Sequence, residues 1–140
     1  MRITAAMLAD AAQVERGKLF VHGGGWDNIS VANIPAVHPS MALVLLFRIE
    51  YDEALDDIPV SIDLVDEDDQ PVGPHIEAVI NAGHPPRTRR GTPTFVPQAI
   101  TVTMLPLQRA GGFRYRVRSR DEELASVPFR VLEQAQAPPA

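Results

Sequence analysis

A chain of 140 residues has the size of one domain and room for one core. Its 45% hydrophobic and 22% charged residues argue against disorder, while 18 acidic against 13 basic side chains, a formal charge of −5, give the wrong sign for gripping a phosphate backbone. The absence of cysteine excludes disulfides, thiolate nucleophiles and sulfur-ligated zinc, and no apolar run approaches the ~20 residues that span a bilayer, so neither nucleic acid nor a membrane is an expected partner and the expected compartment is the cytoplasm.

Met1 and Arg2 precede an apolar run that ends at Asp10, barely the minimum length for the core of a secretion signal, and residues 3–8 read instead as a strand. Asp10 and Gln13 resemble a capping box and Gly17 suits a left-handed stop, which predicts at most one short helical turn near residues 10–16, followed by a strand over 18–22. Leu43, Leu45, Phe47 and Ile49 alternate as one face of a strand. Val44 and Leu46 make its other face apolar too, so this strand is expected to be central or covered on both sides. The same period of two marks Ile58, Val60, Ile62 and Leu64, then Ile100, Val102 and Met104, then Val127, Phe129 and Val131. Phe113, Tyr115 and Val117 alternate with Arg114, Arg116 and Arg118 in the cleanest strand of the chain. A weaker strand is expected at 76–80. The span 81–97 is rich in proline and carries Arg87, Arg89 and Arg90, so it reads as a long loop of the functional or mobile kind. Short strands punctuated by 13 prolines and nine glycines, without amphipathic helices, predict an all-β, two-sheet, immunoglobulin-like sandwich of seven or eight antiparallel strands. It forms one domain over residues 1–133 with a disordered tail at 134–140.

Residues 8–14 read Leu-Ala-Asp-Ala-Ala-Gln-Val, and residues 17–26 read Gly-Lys-Leu-Phe-Val-His-Gly-Gly-Gly-Trp. This signature resembles an uncharacterised family of small bacterial proteins classed only as a domain of unknown function. The resemblance is specific over about the first thirty residues and looser afterwards. It implies a β-sandwich and carries no activity.

His22, Gly23, Gly24, Gly25 and Trp26 look like the glycine loop that builds the oxyanion hole of lipases and esterases. Such a loop serves a serine within G-x-S-x-G, and none of Ser30, Ser40, Ser61, Ser119 and Ser126 stands in that context. The glycines are therefore expected to permit positive φ and a bulge or tight turn, with Trp26 as a core anchor. If a small ligand or carbohydrate binds, the candidate residues are His22, Gly23, Gly24, Gly25, Trp26 and Asp27 beneath the 81–97 loop.

Asp52, Glu53, Asp56 and Asp57, then Asp63, Asp66, Glu67, Asp68 and Asp69, suggest calcium loops of the kind found in C2-like sandwiches. A strand separates the two groups by nearly 30 Å at ~3.3 Å per residue, and a solvated hairpin turn is the favoured account of the second. His22, His38, His75 and His84 lack zinc spacing. The arginine stripe on 114–118 is read as an outward polar face neutralised by carboxylates such as Glu50 or Asp63, and Arg87, Arg89 and Arg90, with His84, as solvated loop charges. No metal, cofactor or catalytic residue is expected. The leading expectation is a non-catalytic module that meets a protein partner or assembles as a homo-oligomer, with ligand binding and weak calcium binding as alternatives.

Overall fold

The structure, a computed structural model, describes residues 1–134. Nine strands follow one another: β1 (Arg2–Glu15), β2 (Lys18–Trp26), β3 (Asn28–Val31), β4 (Ala36–Ile49), β5 (Ile58–Asp66), β6 (Ile76–Ile80), β7 (Thr94–Leu107), β8 (Gly111–Ser119) and β9 (Glu122–Glu133). A single 3₁₀ turn, Tyr51–Glu53, is the one helical element among the described residues. No helix among them is long and apolar enough to cross a membrane.

One sheet has the order β2-β1-β4-β7 and the other β3-β9-β8-β5-β6. Side chains from both fill a common core, with Leu43, Leu45 and Phe47 of the first meeting Ile62, Val117 and Phe129 of the second. The alternation that marks these residues in the sequence is thus the alternation that buries them. Tyr115 belongs to this core, and burial pushes its phenol up to about 12. Val127 and Val131 are buried as expected, and Phe113 is partly buried against the same cluster.

Four expectations need correction. The expected helical turn at 10–16 is strand. β1 runs unbroken to Glu15 and turns into β2 through Arg16 and Gly17, whose φ values of 51° and 71° fit a two-residue hairpin loop. Gly17 does adopt left-handed backbone, but as a hairpin residue. The strands number nine, because β3, Asn28–Val31, is only four residues long and its single alternation of Ile29 and Val31 is too short to mark a strand. Not all pairs are antiparallel, since β3 lies parallel to β9, from Asn28 beside Arg130 to Val31 beside Glu133. Finally, Met104 does not continue the inward row of Ile100 and Val102. It sits at φ 53° and is 64% exposed, and Leu105 and Leu107 turn inward in its place.

The tail expectation covers residues 134–140. Gln134 is held by a backbone hydrogen bond to the Val31 carbonyl (2.8 Å), and residues 135–140 lie outside the described residues.

The most consequential local feature is the β1–β2 hairpin. β1 pairs with β4 only as far as Ala9 opposite Ala42, and beyond that point with β2 alone. A second apolar cluster then forms on the face of β4 away from the main core: Ala9, Ala42 and Val44 are completely buried, with Met7, Ala12, Leu19 and Val21 packed on them. The hairpin therefore covers the outer side of the chain's central strand. Val44 is hidden by the molecule's own residues, as a strand apolar on both faces requires.

Candidate functional site

The candidate residues from His22 to Asp27 lie on β2, at the edge of the first sheet, and just beyond it. Between Leu8 and Ala9 the pairing with β2 shifts by one residue, so that Leu8 faces Trp26 and Ala9 faces Gly24, leaving Gly25 as the extra residue of a β-bulge. Gly25 has φ 87°. At Gly24 the constraint is space: a Cβ there would stand 2.8 Å from Val21 Cγ1 and 3.0 Å from Met7 Sδ. The glycines thus let the hairpin bend where it leaves the sheet, as the bulge expectation held. His22 and the three glycines are exposed, and no cleft described below is lined by residues from His22 to Trp26.

Trp26 is partly buried and packs against the main core, edge-on to His38 with ring centroids 6.1 Å apart. Its Nε1 and the Nε2 of His38 are both buried without a hydrogen-bond partner. An unmade bond at a buried polar atom costs about 1–3 kcal/mol, so this pair has capacity for an acceptor that the protein itself does not supply.

The acidic residues fold into a turn after β5. One oxygen of Asp66 accepts N–H bonds from Asp68 (2.8 Å) and Gln70 (3.0 Å), while the other accepts Arg109. The backbone bond from Gln70, aided by that of Asp68 and by Arg109, holds the Asp66 carboxyl below its usual range against the opposing effect of burial. Glu67 accepts the Gly112 N–H (2.7 Å), and Asp69 accepts Arg114 (3.0 Å). Among the described residues no three acidic or histidine side chains are grouped as metal ligands.

Opposite this turn the two sheets part. One cleft, of about 490 Å³, has walls that include Leu64, Val72, Leu105, Leu107, Phe113 and Phe129, with Gln70, Gln108 and the Asp66–Arg109 pair at its rim. A second, of about 290 Å³, shares Asp66, Phe113 and Phe129 and reaches Asp27, Glu67, Asp69 and Arg130. The second cleft is lined by Gly112, Arg114, Pro128 and Arg130, the outward residues of β8 and β9, so it lies toward the outer face of the second sheet. Phe113 stacks on Phe129 at 5.7 Å. The sequence marks Leu64, Phe113 and Phe129 among these as core, but not Leu105 and Leu107. That their end of the sandwich stays open is a property of how far the sheets diverge.

The arginine stripe lies on the outer face of the second sheet and is paired much as expected. Arg114 donates to Glu123 (2.7 Å), Asp69 (3.0 Å) and Ser126 (3.1 Å), and Glu123 first, then Asp69, raise its pKa. Asp63 is the carboxylate beside Arg118 (3.5 Å) and Arg116 (4.0 Å), and it also holds His75 Nδ1 at 2.5 Å. The hydrogen bond from His75 is the main cause that holds the Asp63 carboxyl below its ordinary value. Reciprocally, Asp63 and then Glu77 raise the His75 imidazole. Glu50, the other expected partner, pairs with Arg48 instead (2.9 Å).

The long loop begins at Asn81 but ends earlier than expected, because β7 starts at Thr94. It is tied to the segment between β4 and β5: Asn81 donates to Asp57 (2.7 Å), the Gly83 N–H to the Ala54 carbonyl (2.7 Å), and the His84 ring stacks on Tyr51 at 4.0 Å. That segment joins the start of β5, the opposite end of the strand from the acidic turn, so the loop does not roof His22–Asp27 through any of these contacts.

With this geometry in hand, comparison with known families gives one answer. The model of a "Family of unknown function (DUF6941)" matches residues 4–132. The chain belongs to that family. No curated protein matches the chain. Membership extends over both sheets and both clefts, so the hairpin and the open end lie within the span the family model matches.

Proposed function

We propose that this DUF6941 protein is a non-catalytic, immunoglobulin-like binding module that meets another protein through the cleft at the acidic-turn end. The observation that carries the reading is that cleft: about 490 Å³ with an apolar floor and a few convergent polar groups at the rim, a concave site able to take an apolar side chain of a partner. The sheet order supports the immunoglobulin-like description, since β1-β4-β7 against β9-β8-β5-β6 follows the A-B-E and G-F-C-C′ arrangement of such domains. It departs from that arrangement in having β2 outside β1, β3 parallel beside β9 and, among the described residues, no strand beyond β7. The non-catalytic reading rests on how the shifted titratable groups are used. His75, Asp63 and Asp66 are held in ion pairs and turn-closing hydrogen bonds that occupy their lone pairs and ring nitrogens and fix structure, whereas a general base needs a free lone pair.

The test is binding at the cleft by a neutral apolar dye, Nile red. Enhanced fluorescence that disappears in Val72→Glu, a 38% exposed cleft residue, is the expected result. Fluorescence unchanged by that substitution would place the apolar surface elsewhere and remove the reading.

A second reading, a small-ligand site, is favoured by the partnerless Trp26 Nε1 and His38 Nε2. A ligand acceptor bonded there shifts the tryptophan emission and protects it from acrylamide. No change in either quantity across a screen of sugars and carboxylates would exclude it.

A further inference from the structure

The outward side of the β1–β2 hairpin is unlike the side that packs on Val44. On that side Phe20 is 45% exposed, and at the tip stand the exposed cations Arg16 and Lys18 beside one anion, Glu15, while Val14, 41% exposed, shares the face of Leu19 and Val21. Neither cation makes an ion pair among the described residues. Arg16 occupies a left-handed position, φ 51°, where Asn, Asp or Gly is the ordinary choice. Left-handed backbone costs a residue with a side chain roughly 1–2 kcal/mol. The tip is thus a basic, apolar projection whose lead residue is retained at a conformational cost.

The end cleft is its chemical complement. Its floor is apolar; of the carboxylates of the adjoining turn, Asp66 pairs with Arg109, Glu67 with Arg130 and Asp69 with Arg114, which leaves Asp68 as the turn's unneutralised charge. Asp68, at the crest of the turn, is exposed and has no ion-pair partner among the described residues. The chain's own tip is committed elsewhere, because the hairpin packs on the outer face of the first sheet whereas the cleft opens between the sheets.

We propose that the occupant of the cleft is a second copy of this chain, whose hairpin tip seats Phe20 over Phe113 and Phe129 while Arg16 and Lys18 meet the acidic turn. This rests on the cleft reading above and names its partner. Because each copy carries both a tip and a cleft, two copies can exchange tips about a two-fold axis, each giving and receiving the same contact, as closed dimers do.

Sedimentation equilibrium on the full chain tests it with four variants: Phe20→Ser, Lys18→Glu, Asp68→Lys and the pair Lys18→Glu with Asp68→Lys. All change exposed residues, so folding is retained and is checked by circular dichroism. The expected result is a reversible dimer that weakens with salt, and that weakens roughly tenfold or more in each single variant, because a like charge now faces the turn or the anchor ring is gone. Partial recovery is expected in the charge-swapped pair. A chain that stays monomeric at high micromolar concentration overturns the proposal, as does a dimer indifferent to all four variants. Nile red separates the two levels. A monomer whose dye binding is abolished by Val72→Glu leaves the cleft reading standing and removes only the second copy, whereas a monomer without Val72-dependent dye binding removes both.

Discussion

Replacing Val44 by alanine asks whether the hairpin itself seals the outer face of the central strand. Val44 is completely buried in a small cluster separate from the main core. The substitution removes two methyl groups, worth about 1.6 kcal/mol at ~0.8 kcal/mol per buried carbon, and the unfilled space brings the expected loss to roughly 2 kcal/mol. For a domain of this size the melting temperature should fall by about 4–8 °C. Urea unfolding at two protein concentrations is the assay. If the cover is the chain's own hairpin, the loss is the same at both; a cover supplied by a partner makes it shrink with dilution. Leu19→Ala should be coupled to it by more than ~0.5 kcal/mol in a double-mutant cycle, since both side chains belong to one cluster. A loss under about 0.5 kcal/mol, the range of surface substitutions, would refute the packing argument.

Further expectations follow from the same coordinates. Gly24→Ala should cost about 1–3 kcal/mol, because its Cβ would overlap Val21 and Met7, while Gly25→Ala, in open space at φ 87°, should cost only backbone strain of roughly 1–2 kcal/mol; thermal melts that order them oppositely would show the bend is misplaced. The stability contributed by His75 is full below the imidazole's unfolded value, about 6.5, and is lost as pH rises through its raised folded value. The wild type's advantage over His75→Gln should therefore shrink from pH 6 to alkaline pH, and an advantage that grows instead contradicts the Asp63 contact. Asp63, depressed, acts in the other direction: its contribution is present above about 3.9 and vanishes as pH falls through its lowered folded value. Because the Asp66 oxygens already serve Asp68, Gln70 and Arg109, millimolar calcium should leave the melting temperature unchanged, and a calcium-dependent rise would revive the calcium-loop reading.

Much of the fold is legible along the chain because a period of two assigns each strand residue to a face without knowledge of its neighbours. Ile62, Leu64, Tyr115, Val117 and Phe129 all fall in the core for that reason. The exceptions have local physical causes. Asp10 and Gln13 carry helix-start chemistry, yet the same stretch gains more by placing Ala12, with Leu19 and Val21 of the paired strand, on Ala42 and Val44, and packing overrides propensity. At Met104 one left-handed residue shifts the alternation so that Leu105 and Leu107 face inward. β3 is short, and its parallel place beside β9 depends on pairing between residues distant in sequence, Asn28 beside Arg130.

The sequence by itself determined that this is an all-β chain with one two-sided central strand, since local alternation and burial are coupled residue by residue. It also determined that the glycines after His22 serve backbone geometry, since no serine stands where an oxyanion hole needs one. Only the tertiary structure decided what covers Val44, which carboxylate neutralises which arginine, and that the sheets part beside Phe113 and Phe129. Those outcomes depend on how strands distant in sequence come together and diverge, and hydrophobic periodicity carries no information about that separation.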